Sequence, residues 1–239
     1  MSVNTDAHIV KKYDQQLNTL RNIVLEMGGL VEEQISQAVV ALSDEDVSGA
    51  REVINRDHIV NGMEVQADEI STNLIALRQP VGSDLRLIMS LAKTVTDLER
   101  IGDEAEKIAR MTIHIYGGDT NFPSSKLLRD VGTMAELASE MLQGALDALA
   151  RMDADKAVEV SQGDDELDQE FQDALRRLMT FMMEDHRIIG HAIDVLFVIK
   201  ALERIGDHAK NIAEYVIYLV RGKDIRHVSN RTFTDPQSV

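Results

Sequence analysis

Apolar and small residues recur along this chain at intervals of three and four, with polar residues between them. From Leu85 they fall at Ile88, Leu91, Val95, Leu98, Gly102, Ala105 and Ala109. From Ala192 they fall at Leu196, Ile199, Leu202, Gly206, Ala209 and Ala213. That spacing lays each set along one stripe of an α-helix. The same pattern runs through Leu17–Leu42 and Leu167–Met183. It predicts six helices, at about Ala7–Leu42, Val47–Leu77, Asp84–Tyr116, Ser125–Arg151, Asp155–Glu184 and Arg187–Arg221. Helices of about 30 residues are ~45 Å long, too long for a compact globin-like packing. Short links make neighbours antiparallel, so the expected fold is all-α and elongated.

The breaks agree with this partition. Only three prolines occur, Pro80, Pro123 and Pro236, and proline inside a helix costs about 3 kcal/mol. Ser43-Asp-Glu-Asp46 reads as a polar turn, as do Arg151-Met-Asp-Ala-Asp155 and Asp185-His-Arg187. Gln79-Pro-Val-Gly-Ser83 reads as a break with Ser83 as N-cap. Gly117-Gly-Asp-Thr-Asn-Phe-Pro123 is the strongest punctuation and leaves three helices on either side.

The two halves repeat. Leu98-Glu-Arg-Ile-Gly-Asp103-Glu-Ala-Glu-Lys-Ile-Ala109 aligns with Leu202-Glu-Arg-Ile-Gly-Asp207-His-Ala-Lys-Asn-Ile-Ala213, identical at nine of twelve positions with an offset of 104. Amphipathic helices matching by chance would share apolar positions, not Glu, Arg, Gly and Asp as well. Ala41-Leu42, Asp46 and Ala50 match Ala148-Leu149, Asp153 and Ala157 at an offset of 107. The expected organisation is two tandem three-helix bundles made by duplication, residues 1–118 and 123–222, with a polar tail over 223–239.

Charge narrows the partners. The chain has 239 residues and a formal net charge of −16, from 41 acidic and 25 basic side chains. Such a surface repels nucleic acid and anionic membranes. With no cysteine there is no disulfide framework, thiolate metal site or cysteine nucleophile, which fits a reducing compartment. The sequence shows neither a signal peptide nor an apolar run of membrane-spanning length, so the expectation is a soluble cytoplasmic protein.

Some of the acid charge is patterned. Glu99 and Asp103 lie four apart, as do Glu203 and Asp207, so each pair shares a helix face one turn apart. Like charges so placed repel by some tenths of a kcal/mol and call for a partner. A hard cation with oxygen ligands, such as Mg, Mn, Fe or Ca, is one. Gly102 and Gly206 stand inside both pairs, where glycine costs about 1 kcal/mol relative to Ala, which suggests close approach by another backbone or a bound ion, and lets neighbouring helices bring their own acids nearer. The fifth helix offers Asp164 and Asp168, whose counterparts by the 107 offset are Asp57 and Asn61; Glu64 and Asp68 repeat the spacing further along. The plainer alternative is a solvated face on which Lys107, Lys210, Arg100 and Arg204 neutralise the acids as ordinary ion pairs. On that reading the protein is a metal-independent helical scaffold.

A carboxylate-bound dinuclear enzyme is disfavoured, because no Glu-x-x-His occurs and no nucleophile–base, phosphate-loop or dinucleotide motif is present. His186, His191 and His208 lie near the second motif, where a capping or surface role is the commoner one. Arg221, Lys223, Arg226, His227 and Arg231 cluster at the C-terminus, which reads as a complement to the last helix's dipole in preference to a partner-docking tail.

The residues Leu98–Asp103 and Leu202–Asp207, Arg78-Gln-Pro-Val-Gly-Ser-Asp-Leu-Arg86, Met27-Gly-Gly29 and Met182-Met-Glu-Asp185 resemble those of the PhoU family of phosphate-specific transport accessory proteins. The resemblance spans nearly the whole chain, including its duplication. It implies two three-helix bundles, often dimeric, in a cytoplasmic protein without catalytic activity. It further implies a negative regulator of phosphate uptake and of the phosphate-starvation response, linking the Pst phosphate ABC transporter to the sensor histidine kinase PhoR. Contact with the membrane would come only through those partners. The family's paired acidic motifs bind divalent or trivalent metal ions, Mg, Mn, Fe or Zn among them. Carried over by position, the resemblance implies metal ligation by Glu99, Asp103, Glu203, Asp207, Asp164 and Asp168. Asn61 departs from the pattern where Asp168 stands in the second half.

Overall fold

The structure, a computed structural model, describes residues 5–118 and 123–222. Six long helices form: α1 Thr5–Ser43, α2 Val47–Arg78, α3 Ser83–Tyr116, α4 Val131–Arg151, α5 Ala154–Glu184 and α6 Ile189–Arg221, with a 3-10 turn at His186–Ile188 before α6. No strand occurs among the described residues. α1, α2 and α3 pack on one another, as do α4, α5 and α6, and α3 lies against α6 across the two groups. One apolar core runs through both, from Leu20, Met27 and Ile35 of α1, through Leu91, Leu98 and Ile101 of α3, to Leu142 of α4 and Leu202 and Ile205 of α6. The stripes read from the sequence are its walls: Ile88, Leu91, Val95, Leu98, Ala105 and Ala109 on α3, and Ala192, Ile199, Leu202, Ala209 and Ala213 on α6, are buried, while Leu85 at the start of α3 is exposed and Leu196 half-buried.

The duplication extends to the turns. Asp46 caps α2 by accepting from the Ser48 amide, and Asp153 caps α5 by accepting from the Asp155 and Lys156 amides. Each follows a residue at positive φ, Glu45 and Met152. The amides of Asp46 and Asp153 donate to the carbonyls of Ala41 and Ala148 respectively. Those are the positions that match at an offset of 107.

Three expectations are corrected. α4 begins at Val131, not near Ser125: the amides of Leu127 and Val131 bond three residues back, to Ser124 and Leu128, so 124–130 is a chain of turns. Ser83 is not a cap; Gly82 takes that position at φ +60, and Ser83 is the first helical residue. The segment at 185–187 extends into the 3-10 turn, and α6 starts at Ile189 rather than Arg187. Lys223, Arg226, His227, Arg231, Pro236 and the tail lie outside the described residues, as do residues 119–122 of the central loop. Within the described residues, Arg221 reaches Asp155 at the start of α5, 2.7 Å away. No described helix is long and apolar enough to cross a membrane.

Candidate metal centres

Glu99 and Asp103 stand on α3, which packs against α2; Glu203 and Asp207 stand on α6, which packs against α5. These pairings create two acidic clusters. In the second, Asp207 feels Glu203, Asp164 and Asp168, and Asp168 feels Asp164 and Glu203. In the first, Glu99 feels Asp103, Glu64 and Asp57, and Asp103 feels Asp57. Burial first, and then this mutual repulsion, push Glu64, Glu99, Asp103 and Asp168 above the usual carboxylate range. Asp207 is pushed furthest, to about 6. Groups in this condition favour a proton or a metal cation beside them.

The six residues named from the sequence thus fall into two places: Asp164, Asp168, Glu203 and Asp207 together, and Glu99 with Asp103 apart from them. Asn61 is not a ligand-like vacancy in the first cluster. Its side-chain amide donates to Asp57 Oδ2 at 2.9 Å, while Gln34 donates to Asp57 Oδ1 at 3.4 Å. Glu64 supplies the first cluster's fourth carboxylate from about one turn further along α2. Its counterpart by the 107 offset is Phe171, whose ring lies 5.2 Å from Lys200 Nζ. Each cluster therefore draws four carboxylates from two packed helices. Among the described residues, no three His, Asp or Glu side chains are already drawn into a ligand set around one point. All the donors in both clusters are carboxylate oxygens, a chemistry that suits hard cations such as Mg, Mn or Fe.

The cations that the plainer alternative invoked neutralise the clusters in part: Arg100 eases Glu99 and Glu64, Lys107 eases Asp103 and Lys210 eases Asp168, although none of the three forms an ion pair with Glu99, Asp103 or Asp207 among the described residues. Lys107 pairs with Glu104 at 2.7 Å, not with Asp103. Lys210 donates to buried Asp164 at 2.5 Å, not to Asp207. Arg204 crosses to Glu104 on α3 at 3.0 Å. Glu203 pairs with Lys200, so two of the second cluster's four acids, Asp164 and Glu203, already hold a lysine. Asp103 and Asp207 make no ion pair among the described residues.

Gly102 and Gly206 stand where side chains of neighbouring helices approach closely. A Cβ at Gly206 would collide with the Leu167 side chain of α5. One at Gly102 would stand 3.3 Å from Gln34 Oε1 and 3.4 Å from Asp57 Oδ1. The glycines let α5 close on α6, and Gln34 and Asp57 close on α3, which brings the acids of neighbouring helices together.

Two further acids escaped the sequence reading. Asp97 and Glu104 are 6% and 5% exposed and face α6. Asp97 pairs with His208 at 2.7 Å and accepts from Asn211 at 3.2 Å; Glu104 holds Lys107 and Arg204. His208 is thus committed to the seam between α3 and α6. His186 is exposed in the 3-10 turn. The signal was available: Asp97 and Glu104 are seven apart and interleave with Thr94, Ile101 and Ile108, so they occupy a second inward stripe of α3.

Known proteins resemble this chain in sequence and fold. The PhoU domain model matches residues 24–112 and again 131–216. The phosphate-specific transport system accessory protein PhoU homolog of Pseudomonas aeruginosa is 46% identical over 95% of this chain and 93% of its own length. The protein named phosphate-specific transport system accessory protein PhoU in Escherichia coli K12 is 42% identical over 95% of this chain and 92% of its own. The crystal structure of PhoU from P. aeruginosa superposes with a TM-score of 0.84 at 47% identity, covering 88% of this chain and all of that one. That of the phosphate transport system regulatory protein PhoU from Streptococcus pneumoniae gives 0.80 at 30% identity, covering 89% of this chain and 98% of that one. With two matched repeats and relatives of this identity along almost its full length, the chain belongs to the PhoU family.

Proposed function

We propose that this protein is an accessory regulator of phosphate transport, a metal-binding helical adaptor that restrains phosphate uptake and the phosphate-starvation response. Its partners are the cytoplasmic side of the Pst phosphate ABC transporter and the sensor kinase PhoR. The observation that carries this reading is the full-length similarity to proteins named as phosphate transport accessory proteins, preserved through both repeats. The same reading includes a cytoplasmic location, a homodimer and no catalytic step.

The carboxylate clusters are its working parts. In the second, Glu203 and Asp207 on α6 with Asp164 and Asp168 on α5 hold one or more cations. In the first, Glu99 and Asp103 on α3 do so with Asp57 and Glu64 on α2. A bound cation relieves the repulsion that helps raise Glu64, Glu99, Asp103, Asp168 and Asp207, and ties α5 to α6 and α2 to α3. Regulation then requires that the loaded bundle bind one state of the transporter or kinase more tightly than the other, because a ligand with equal affinity for both shifts neither. Deletion of the gene in the source organism tests the role. Alkaline phosphatase expressed in high phosphate supports it; expression unchanged from wild type overturns it.

A further inference from the structure

Outside the carboxylate clusters, a hollow lies between α1 and α4, where the two three-helix groups meet. It measures about 580 Å³. Ile35, Val39, Val40 and Ala135 contribute apolar surface, and Ser36 and Ser139 are the small residues that leave the space. Val40 is 53% exposed, a large aliphatic with no cover. A second hollow of about 270 Å³ shares Ser36 and Val40 and continues along α1 toward the start of α2. From Glu32 to Ala41 the groove follows α1 for about 14 Å, two and a half helical turns.

The charge around it has one sign. Glu32, Glu136 and Glu140 line the first hollow, and Asp46 and Glu52 the second; neither is lined by Lys or Arg. Burial pushes the Glu32 carboxyl above its ordinary range, so a cation beside it would be favoured. An apolar floor between acidic rims matches an amphipathic helix that carries aliphatic residues on one face and Lys or Arg on its flanks. A second copy of this chain fits poorly, because a twofold contact through the groove would set acid against acid.

We propose that the α1–α4 groove is a docking site for a basic amphipathic helix of a partner protein. The site is separate from the carboxylate clusters, which lie between α2 and α3 and between α5 and α6, so protein docking and cation binding occupy different faces.

The test uses fluorescence anisotropy with a labelled helical peptide of about 14 residues, leucines on one face and lysines on its flanks, and its counterpart with glutamates for lysines. The full chain binds the lysine peptide and not the glutamate one. Glu32→Gln, Glu136→Gln and Glu140→Gln together weaken binding about tenfold, the sum of several partly exposed charge contacts. Ser36→Trp with Ser139→Trp fills the groove and abolishes binding. If the tryptophan pair fails to fold by circular dichroism, the rim glutamine variant carries the test alone. A control removing three exposed acids elsewhere, Glu69→Gln, Glu159→Gln and Glu184→Gln, leaves affinity within about twofold. Equal weakening in that control, equal binding of the glutamate peptide, or no binding up to about 1 mM overturns the proposal. So does sedimentation showing a wild-type dimer that Ser36→Trp dissociates, since a second copy would then occupy the groove.

Discussion

Asp207→Asn separates charge repulsion from packing at the second cluster. Asp207 has no hydrogen-bonded or ion-paired partner among the described residues, and burial together with Glu203, Asp164 and Asp168 raises its carboxyl to about 6. A rise of roughly two units corresponds to about 3 kcal/mol at ~1.4 kcal/mol per unit. The side chain reaches solvent, which screens the repulsion, and about 1 kcal/mol is the amount we carry forward. A carboxyl raised on folding holds its proton more tightly in the folded state. The penalty is therefore absent below the unfolded value near ~4, grows as pH rises through about 6, and is complete above that. The isosteric amide removes it. In chelator at about pH 7.5, Asp207→Asn should raise the melting temperature by about 2–4 °C, and by nothing measurable near pH 4. Added Mn or Mg should reverse the order, because the wild type gains a cation that the variant binds poorly. Differential scanning calorimetry across that pH range reads both effects. A variant that melts lower in chelator, or a difference that does not change with pH, would refute the electrostatic account.

Other changes probe the supports of the site. Lys210→Met leaves Asp164, 4% exposed, without its cation and should cost about 2 kcal/mol in urea unfolding, less than a fully buried pair because Lys210 is partly exposed. Gly206→Ala drives a methyl into Leu167 and should destabilise by about 1–3 kcal/mol and loosen the α5–α6 contact. Gly62→Ala is the control: nothing lies within 4 Å of its Cβ position in the middle of α2, and the same substitution there should stabilise by up to about 1 kcal/mol.

The helices were legible because their apolar stripes are long and uninterrupted, as Leu85–Ala109 and Ala192–Ala213 show. The start of α4 was not, because Leu127 and Leu128 extend the stripe in composition. Leu127 is indeed buried, 3% exposed, but from a turn rather than a helix. The paired motif acids were legible from their spacing on one helix. Their company was legible in part: Asp164 and Asp168 were named as the second pair's companions, whereas Glu64, singled out only for its spacing, joins Glu99 and Asp103 once α2 lies on α3. The glycines were singled out for a close approach between helices, but which side chain approaches, Leu167 at Gly206 or Gln34 and Asp57 at Gly102, has no signature in either helix alone. Lys107 and Lys210 illustrate the same limit. Their spacing suits Asp103 and Asp207, yet Glu104 and Asp164 are the more buried acids, and a buried carboxylate gains more from a cation than an exposed one.

The most direct measurement is the metal content of protein purified without chelator or affinity tag, by inductively coupled plasma mass spectrometry. Wild type is compared with the variant carrying Glu99→Gln, Asp103→Asn, Glu203→Gln and Asp207→Asn, both shown folded by circular dichroism. The account predicts Mg, Mn, Fe or Zn bound to the wild type and lost from the variant. Equal stoichiometry in the two proteins, or a metal-free wild type that takes up none of these ions when they are added, would contradict it.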